Sequence, residues 1–320
     1  MKRLKYIGNS KEARLVSSDR TLQDLNKILK STNKIQKFVF DFPWYEAITD
    51  KGIDYLCQII RRFRRLRSIN LRLTGCSNIT NTEMKNVCKA LKALISLQTI
   101  TLDFENCIKI NDTGLHYLSK YLKKHIYLQN LALNFSVCSE VNEKGLYEVS
   151  QFLKGRDRLK NISLNFAKCG GITSQGLNVL GEALKTLKSL KKLQLDFERC
   201  HKIDDVGLIS LSPSLQAMCS LENLSINFAE CYKISNVGFE SICKILKNLG
   251  LLQSLYMKFK RCSKITDRGL IKLGQELKNL SMLRSVHLDF TGCSGMTLSQ
   301  KRYLREALKT TPSLKNSLLT

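Results

Sequence analysis

A cysteine recurs every 31 residues along most of this chain, and no other sequence feature constrains its fold as strongly. Eight cysteines follow this spacing without an insertion or a deletion: Cys76, Cys107, Cys138, Cys169, Cys200, Cys231, Cys262 and Cys293. One step further back lies Tyr45, whose flanking residues keep the same register. An internal repeat of fixed period is typical of a solenoid, in which each unit stacks on its neighbours.

Each unit combines a strand pattern with a helix pattern. Apolar residues alternate with polar ones ahead of the cysteine, as in Ile100, Leu102 and Phe104, which predicts a strand with one buried face. After the cysteine comes an aliphatic residue and then Thr, Asn, Ser or Asp, which are preferred at helix N-caps. Apolar residues such as Leu177 and Leu180 follow at helical spacing. The repeat therefore predicts parallel strands joined by helices.

This pattern resembles the leucine-rich-repeat family in its cysteine-containing type, similar to the repeat region of F-box and ribonuclease-inhibitor-like proteins. The unit that carries the resemblance most fully has apolar residues, the cysteine and a glycine at the family's positions, with one extra alternating pair: Leu190, Leu193, Leu195, Phe197, Cys200, Ile203, Gly207 and Leu208. The resemblance implies an α/β fold, a horseshoe-shaped leucine-rich-repeat solenoid with parallel strands on the concave face and helices on the convex face. A 31-residue unit exceeds the usual length, so longer helices are expected.

The two ends of the chain depart from the repeat. Residues 1–36 are predicted to form an N-terminal helical cap, because Leu22, Leu25 and Leu29 keep a helical register. Residues 37–320 are predicted to form one continuous solenoid of about nine units. Trp44 is expected to cover the end of the core, with an interface anchor as the alternative. The chain stops at Thr320, inside what would be the next strand, and the sequence leaves open whether the C-terminal end is trimmed.

The sequence also predicts a cellular compartment. The sequence lacks the pattern of a secretion signal and any apolar run long enough to span a membrane, so the cytoplasm is the expected compartment, with the nucleus as the alternative. In a reducing compartment the twelve cysteines are expected to be free thiols.

The repeated columns do not indicate catalysis. The cysteines lack the paired C-x-x-C spacing of a zinc site, and small buried thiols explain their column. Asp103 with Glu105, or Asp196 with Glu198, would have the separation of an acid and base pair, about 6.5 Å. They are expected on an open repetitive surface, however, where no pocket assembles a catalytic group. No catalytic, cofactor-binding or metal-binding residue, no cofactor and no small-molecule substrate is therefore predicted.

The position four residues before each cysteine is predicted to face the concave side. Seven of its nine residues are Asp or Asn. Short polar side chains could form a structural hydrogen-bonded ladder, or they could contact a partner, and the sequence leaves both interpretations open. Charged residues here and nearby are the predicted partner contacts: Asp103, Glu105, Asp196, Glu198, Arg199, Lys258, Lys260 and Arg261.

The chain is strongly basic, with 52 Lys and Arg against 27 Asp and Glu and a net charge of +25. The segments from sixteen to twenty-three residues after each cysteine position hold 21 of the basic residues and only two acidic ones. These segments span the helix ends and the loops into the next strands, and the basic edge is densest at Arg61, Arg62, Arg64, Arg65 and Arg67. Helix dipoles explain single cations here, but not five together.

These observations favour a non-enzymatic scaffold that binds a protein through the concave sheet. One alternative is a substrate receptor of a ubiquitin ligase, which the resemblance implies, although residues 1–36 show no F-box pattern. The other alternative is a nucleic acid or another acidic surface bound through the basic edge. No RNA-binding aromatic signature accompanies the basic residues.

Overall fold

The strands of the repeat form one continuous sheet in the order in which they occur along the chain. The computed structural model describes residues 5–6, 12–16, 19–28, 35–42, 48–311 and 313–320. Ten strands begin one repeat period apart: β3 Lys37–Asp41, β4 Ser68–Arg72, β5 Thr99–Asp103, β6 Asn130–Asn134, β7 Asn161–Asn165, β8 Lys192–Asp196, β9 Asn223–Asn227, β10 Ser254–Lys258, β11 Ser285–Asp289 and β12 Asn316–Leu319. They are preceded by β1 Lys5–Tyr6 and β2 Glu12–Val16.

All neighbours from β2 to β12 pair in parallel, whereas β1 pairs with β2 in the antiparallel sense. From β3 onward the register advances by one repeat period at each step, as in the pairing of Leu102 with Leu133. Equivalent residues of successive units therefore stack in straight rows. The predicted α/β repeat solenoid with parallel strands is confirmed.

From β2 onward, a helix lies between each strand and the next. The helices are α1 Asp19–Ile28, α2 Asp50–Arg62, α3 Asn81–Lys92, α4 Asp112–Leu122, α5 Glu143–Leu153, α6 Ser174–Leu184, α7 Asp205–Gln216, α8 Asn236–Ile245, α9 Asp267–Leu277 and α10 Leu298–Lys309. From α2 onward each begins after the predicted polar N-cap, such as Asn111, whose side chain accepts a hydrogen bond from Thr113 N. None of these helices is both long and apolar enough to cross a membrane, within the part of the chain that the structure describes.

A row of phenylalanines runs through the centre of the core. Seven rings, one in each unit from Phe104 to Phe290, are buried and stacked with centroids 5.7 to 6.2 Å apart. Aromatic pairs at this separation stabilise a fold beyond the burial of their area. The row gives each of its inner units a stacking contact with both neighbours.

The repeated cysteines are buried, as predicted, and each from Cys107 onward donates a hydrogen bond to the backbone of the preceding unit. Cys107 Sγ lies 3.2 Å from Leu73 O, and Cys169 Sγ lies 3.2 Å from Phe135 O. Burial raises the pKa of Cys138 to about 12, so the thiolate form is scarce at neutral pH. Packing and backbone hydrogen bonds thus account for the cysteine at this position of the repeat.

The N-terminal part of the chain contains a strand that the sequence pattern did not reveal. Strand β2 pairs in parallel with β3, with Glu12 opposite Lys37, so its offset along the chain is shorter than the repeat period. Helix α1 follows, and its Leu22 is fully buried. Trp44 and Leu29 lie outside the described residues.

Candidate recognition surfaces

The sheet face that the helices leave open carries rows of side chains set by strand alternation. In β5, the buried Ile100 and Leu102 alternate with Thr99, Thr101 and Asp103, which lie on the open, concave face. We name two rows by their positions. The turn row lies four residues before the cysteine position and contains Asp41, Arg72, Asp103, Asn134, Asn165, Asp196, Asn227, Lys258 and Asp289. The central row lies six residues before it and contains Val39, Asn70, Thr101, Ala132, Ser163, Gln194, Ser225, Tyr256 and His287.

The turn row binds its own backbone. Asp103 Oδ1 accepts a hydrogen bond from Glu105 N at 3.1 Å, and Asp196 Oδ1 accepts one from Glu198 N at 3.0 Å. Asn134, Asn165, Asn227 and Asp289 make the same bond at 2.9 to 3.0 Å. Such local bonds are the reason why Asp and Asn are favoured in turns. The structural interpretation of this column is therefore established for six of its members.

Two predicted contact groups of opposite charge are joined across the sheet. Glu198 Oε2 accepts hydrogen bonds from Lys258 Nζ at 2.9 Å and from Asn227 Nδ2 at 3.1 Å. Asn227 Nδ2 also lies 2.9 Å from Asp196 Oδ2. Burial raises the pKa of Asp196. Burial acts in the same direction on Glu198, but the hydrogen bonds from Lys258 and Asn227 outweigh it and lower its pKa. The acidic and basic spots thus form one network.

A second network lies in the turns that follow the strands. Glu230 accepts hydrogen bonds from Arg199 Nε at 2.8 Å and from Tyr232 Oη at 3.2 Å, and it forms an ion pair with Arg261 at 3.3 Å. The bond from Arg199 lowers the pKa of Glu230. Sequence reasoning chose both arginines but missed Glu230. The alternating charges of Arg199, Glu230 and Arg261, each directly before a repeated cysteine, were the signal that could have identified it.

Seven of the eight predicted partner contacts already hold a hydrogen bond or ion pair within the chain. Glu105, for example, accepts a bond from Asn134 Nδ2 at 3.2 Å. Lys260 is the one whose side chain has no such bond within the described residues. That these residues bind a partner remains a prediction, but truncating them would also disturb internal contacts.

The central row is free of internal hydrogen bonds. The side chains of Thr101, Ser163, Gln194, Ser225, Tyr256 and His287 bond to no other group in the described part of the chain. Asn70 Oδ1 is buried and has no partner there either. A polar group that is withdrawn from water is normally hydrogen-bonded. The row therefore presents unused donors and acceptors.

A depression of about 450 Å³ in the concave face is centred on this row. Ser163, Gln194, Ser225 and Tyr256 line it from four adjacent strands, β7 to β10. The ring of Tyr256 lies 4.7 Å from that of His287 between centroids, and burial raises the tyrosine pKa. Sequence reasoning missed the central row because its residue types vary from unit to unit.

The basic edge differs from the concave face in how its charges are partnered. Arg61, Arg64, Arg65 and Arg67 are exposed and have no ion pair within the described residues. Arg62 instead donates to Asn26 O at 2.6 Å.

One cation of this edge has a structural role. Arg156 donates to four backbone carbonyls near the ends of α4 and α5, including His125 O at 3.0 Å and Lys123 O at 3.1 Å. It therefore satisfies orphan carbonyls at helix ends and is not available to a partner.

Within the described residues, no group of three or more His, Cys, Asp or Glu side chains has an arrangement that could hold a metal ion. No protein-family model matches this chain, and no curated protein matches it in sequence. Among solved structures, the chain is similar to one in "Crystal structure of Rad7 and Elc1 complex in yeast", with 15% identity over 90% of this chain and 78% of the other and a TM-score of 0.47. It is also similar to "Leiomodin-1 Actin-Binding Site 2 (ABS2)", with 13% identity over 44% of this chain and 76% of the other and a TM-score of 0.36. At TM-scores below 0.5, neither structure indicates a function for this chain.

Proposed function

We propose that this chain is a non-enzymatic recognition scaffold of the cysteine-containing leucine-rich-repeat type, which binds a protein partner through the central row of its concave face. The observation that carries the proposal is that this row combines half-buried polar side chains in a depression of the sheet face with the absence of internal hydrogen bonds within the described residues. The unpaired thiols of all twelve cysteines suit a reducing compartment such as the cytoplasm.

The chemistry of the central row fits a polypeptide better than a small charged ligand. Hydroxyl and amide groups of Ser163, Gln194 and Ser225 repeat at the strand spacing of about 4.8 Å. They can bond to backbone amides and neutral side chains of a partner without requiring a particular charge. Tyr256, next to His287, adds an aromatic anchor of the kind that dominates many protein interfaces.

The proposal is tested by site-specific photocrosslinking in cells with the full chain. A benzophenone amino acid replaces Gln194 in the central row or, as the control, the exposed Ile209 on the convex helix α7. We expect a crosslinked protein that is specific to position 194. Equal crosslinking patterns at both positions would contradict recognition through the concave face.

A variant pair measures the contribution of the side chains. Gln194→Ala with Tyr256→Ala removes two central-row groups, and Gln175→Ala with Tyr147→Ala removes the same residue types from helices α5 and α6. We expect only the first pair to release the partner found by crosslinking, while both keep the thermal stability of the native chain. Retention of the partner by the central-row pair would refute the proposal.

The narrower hypothesis of a ubiquitin-ligase substrate receptor makes a further demand on the same experiment. Ligase subunits should then copurify with the native chain and with the central-row variant, because the adaptor contact and the substrate contact would lie on different surfaces. Their absence from both samples would contradict this narrower role and leave the scaffold proposal intact.

A further inference from the structure

Large apolar side chains are exposed at the tips of turns on the basic edge. Ile95 lies in the turn between α3 and β5 and is 59% exposed. Ile126 and Tyr127 occupy the equivalent turn between α4 and β6 and are 64% and 45% exposed. Single exposed apolar residues are ordinary on protein surfaces, but three at equivalent tips of consecutive turns form a patch.

Basic turns flank this apolar patch on both sides. Arg64 and Arg65 occupy the preceding turn, between α2 and β4, and Arg158 lies in the following turn, between α5 and β7. Because the strand register advances without a slip, these turns are neighbours along one edge of the sheet. The edge thus presents a basic cluster, an apolar patch and a second basic cluster in that order.

Most charges of this edge have no ion pair within the described residues, although Lys309 pairs with Glu306. Some cations elsewhere have partners, as Arg199 has in Glu230 and Arg268 has in Glu240. The edge segments contain only two acidic residues, and one of them, Glu222, forms an ion pair with Lys191. Helix dipoles favour cations at helix ends, but they do not account for arginines at turn tips or for exposed isoleucines beside them.

We propose that this edge docks on the surface of an anionic lipid bilayer. Apolar tips can enter the boundary between headgroups and acyl chains while neighbouring Lys and Arg attract acidic headgroups. Ile95 and Ile126 have no comparable role against a nucleic acid, where exposed bases need flat rings for stacking. The only ring of the patch is Tyr127, and the guanidinium of Arg158 lies over it, with Arg158 Cζ 5.2 Å from the ring centroid.

The test uses the full chain and co-sedimentation with vesicles of phosphatidylcholine alone or with about 30% phosphatidylserine. We expect binding to the acidic vesicles only, and weaker binding as salt rises from about 0.1 M to about 0.5 M, because the attraction is screened. Binding to both vesicle types alike, or to neither, would overturn the proposal.

Two edge variants separate the apolar and the basic contributions. One carries Ile95→Ser, Ile126→Ser and Tyr127→Ser, and the other carries Gln in place of Arg61, Arg64, Arg65 and Arg67. Each should weaken vesicle binding by about tenfold or more, because insertion and charge attraction both contribute to docking. If the serine variant binds vesicles as strongly as the native chain does, the attraction is electrostatic adsorption alone, and the docking proposal is refuted.

Each variant has a matched control. Val206→Ser, Ile209→Ser and Val237→Ser remove equally exposed apolar residues, 45 to 61% exposed, from convex helices α7 and α8. Gln in place of Lys109, Lys202, Lys233 and Lys264 removes four exposed charges from the opposite edge of the sheet. Both controls should bind acidic vesicles like the native chain.

A single-stranded RNA of about 20 nucleotides serves as the competing polyanion. The native chain should prefer vesicles to this RNA. If the RNA displaces the chain from vesicles and the arginine variant alone loses RNA binding, the edge is a nucleic-acid surface and the lipid proposal is wrong.

Discussion

Replacing one ring in the middle of the phenylalanine row should destabilise the solenoid more than replacing the ring at the start of the row. Phe166 is fully buried and stacks on two rings, Phe135 at 5.9 Å and Phe197 at 6.0 Å. Phe104 is equally buried but stacks on one ring, Phe135 at 5.7 Å, since the preceding unit carries Leu73 in this row. The two positions are thus matched in burial and differ in aromatic contacts.

The magnitudes follow from these contacts. A buried Phe→Ala change lowers the free energy of unfolding by about 3 to 5 kcal/mol through lost transfer energy and the cavity left behind. Each stacked pair contributes about 0.5 to 1.5 kcal/mol beyond burial. Phe166→Ala should therefore cost about 1 kcal/mol more than Phe104→Ala, because it removes one more pair.

Urea denaturation of both variants measures this difference, and hydrogen exchange with mass spectrometry locates it. Protection should be lost first in β6, β7 and β8 for Phe166→Ala and decrease with distance, because each unit touches only its neighbours. Equal destabilisation by the two variants would refute the contribution of stacking. Equal loss of protection at both ends of the array would refute nearest-neighbour coupling.

Three further predictions concern side chains outside the row. A thiol reagent should modify one cysteine rapidly in the native chain, the exposed Cys219, and all twelve after denaturation without reductant; fewer than twelve would reveal disulfides. Arg156→Ala should lower the free energy of unfolding by about 3 kcal/mol, because four backbone carbonyls lose a charged donor, whereas the exposed Arg158→Ala should leave urea denaturation unchanged. Burial lowers the pKa of His125, so the native state takes up its proton less readily than the unfolded chain does. The contribution of the neutral imidazole to the free energy of unfolding is therefore complete above the unfolded pKa of about 6.5 and is lost as pH falls through the lower native pKa. Urea midpoints measured against pH should show this loss for the native chain but not for His125→Gln.

The repeat made most of the fold predictable. A constant period fixes the register between units, so one reading of the alternation in Ile100, Leu102 and Phe104 places nine strands. The helix starts were equally predictable, because a polar residue after the aliphatic position accepts hydrogen bonds from the first free N–H groups of the helix. Strand β2 was not predictable, since its offset from β3 is shorter than the period and breaks the register on which the argument depended.

The candidate recognition surfaces were harder to predict from the sequence, and the reason is physical. Asp and Asn can bond to their own backbone or to a partner, so the composition of the turn row could not separate the two roles. Asp196 shows the difficulty, because it faces the open side of the sheet and still bonds to Glu198 N at 3.0 Å. The ion pair between Lys258 and Glu198 spans two strands, and such a pairing depends on side-chain reach that the repeat does not encode.

Differences between the rows separate side chains that hold the fold from side chains that have no internal bond. The turn row repeats Asp or Asn because its side chains hold a turn, while the central row varies freely because no internal bond fixes its residue type.

The position directly before the cysteine behaves differently again, since its backbone is left-handed in successive units, with φ of 63° at Val137 and 61° at Arg199. Glycine would adopt this conformation without strain, whereas a branched or long side chain pays a conformational cost. Arg199, Glu230 and Arg261 occupy it nonetheless, and their mutual ion pairs offset part of that cost. The same left-handed backbone recurs at Asn106 and Lys168, which lie outside the charged cluster, so the conformation is a demand of the repeated turn and the ion pairs are an addition to it.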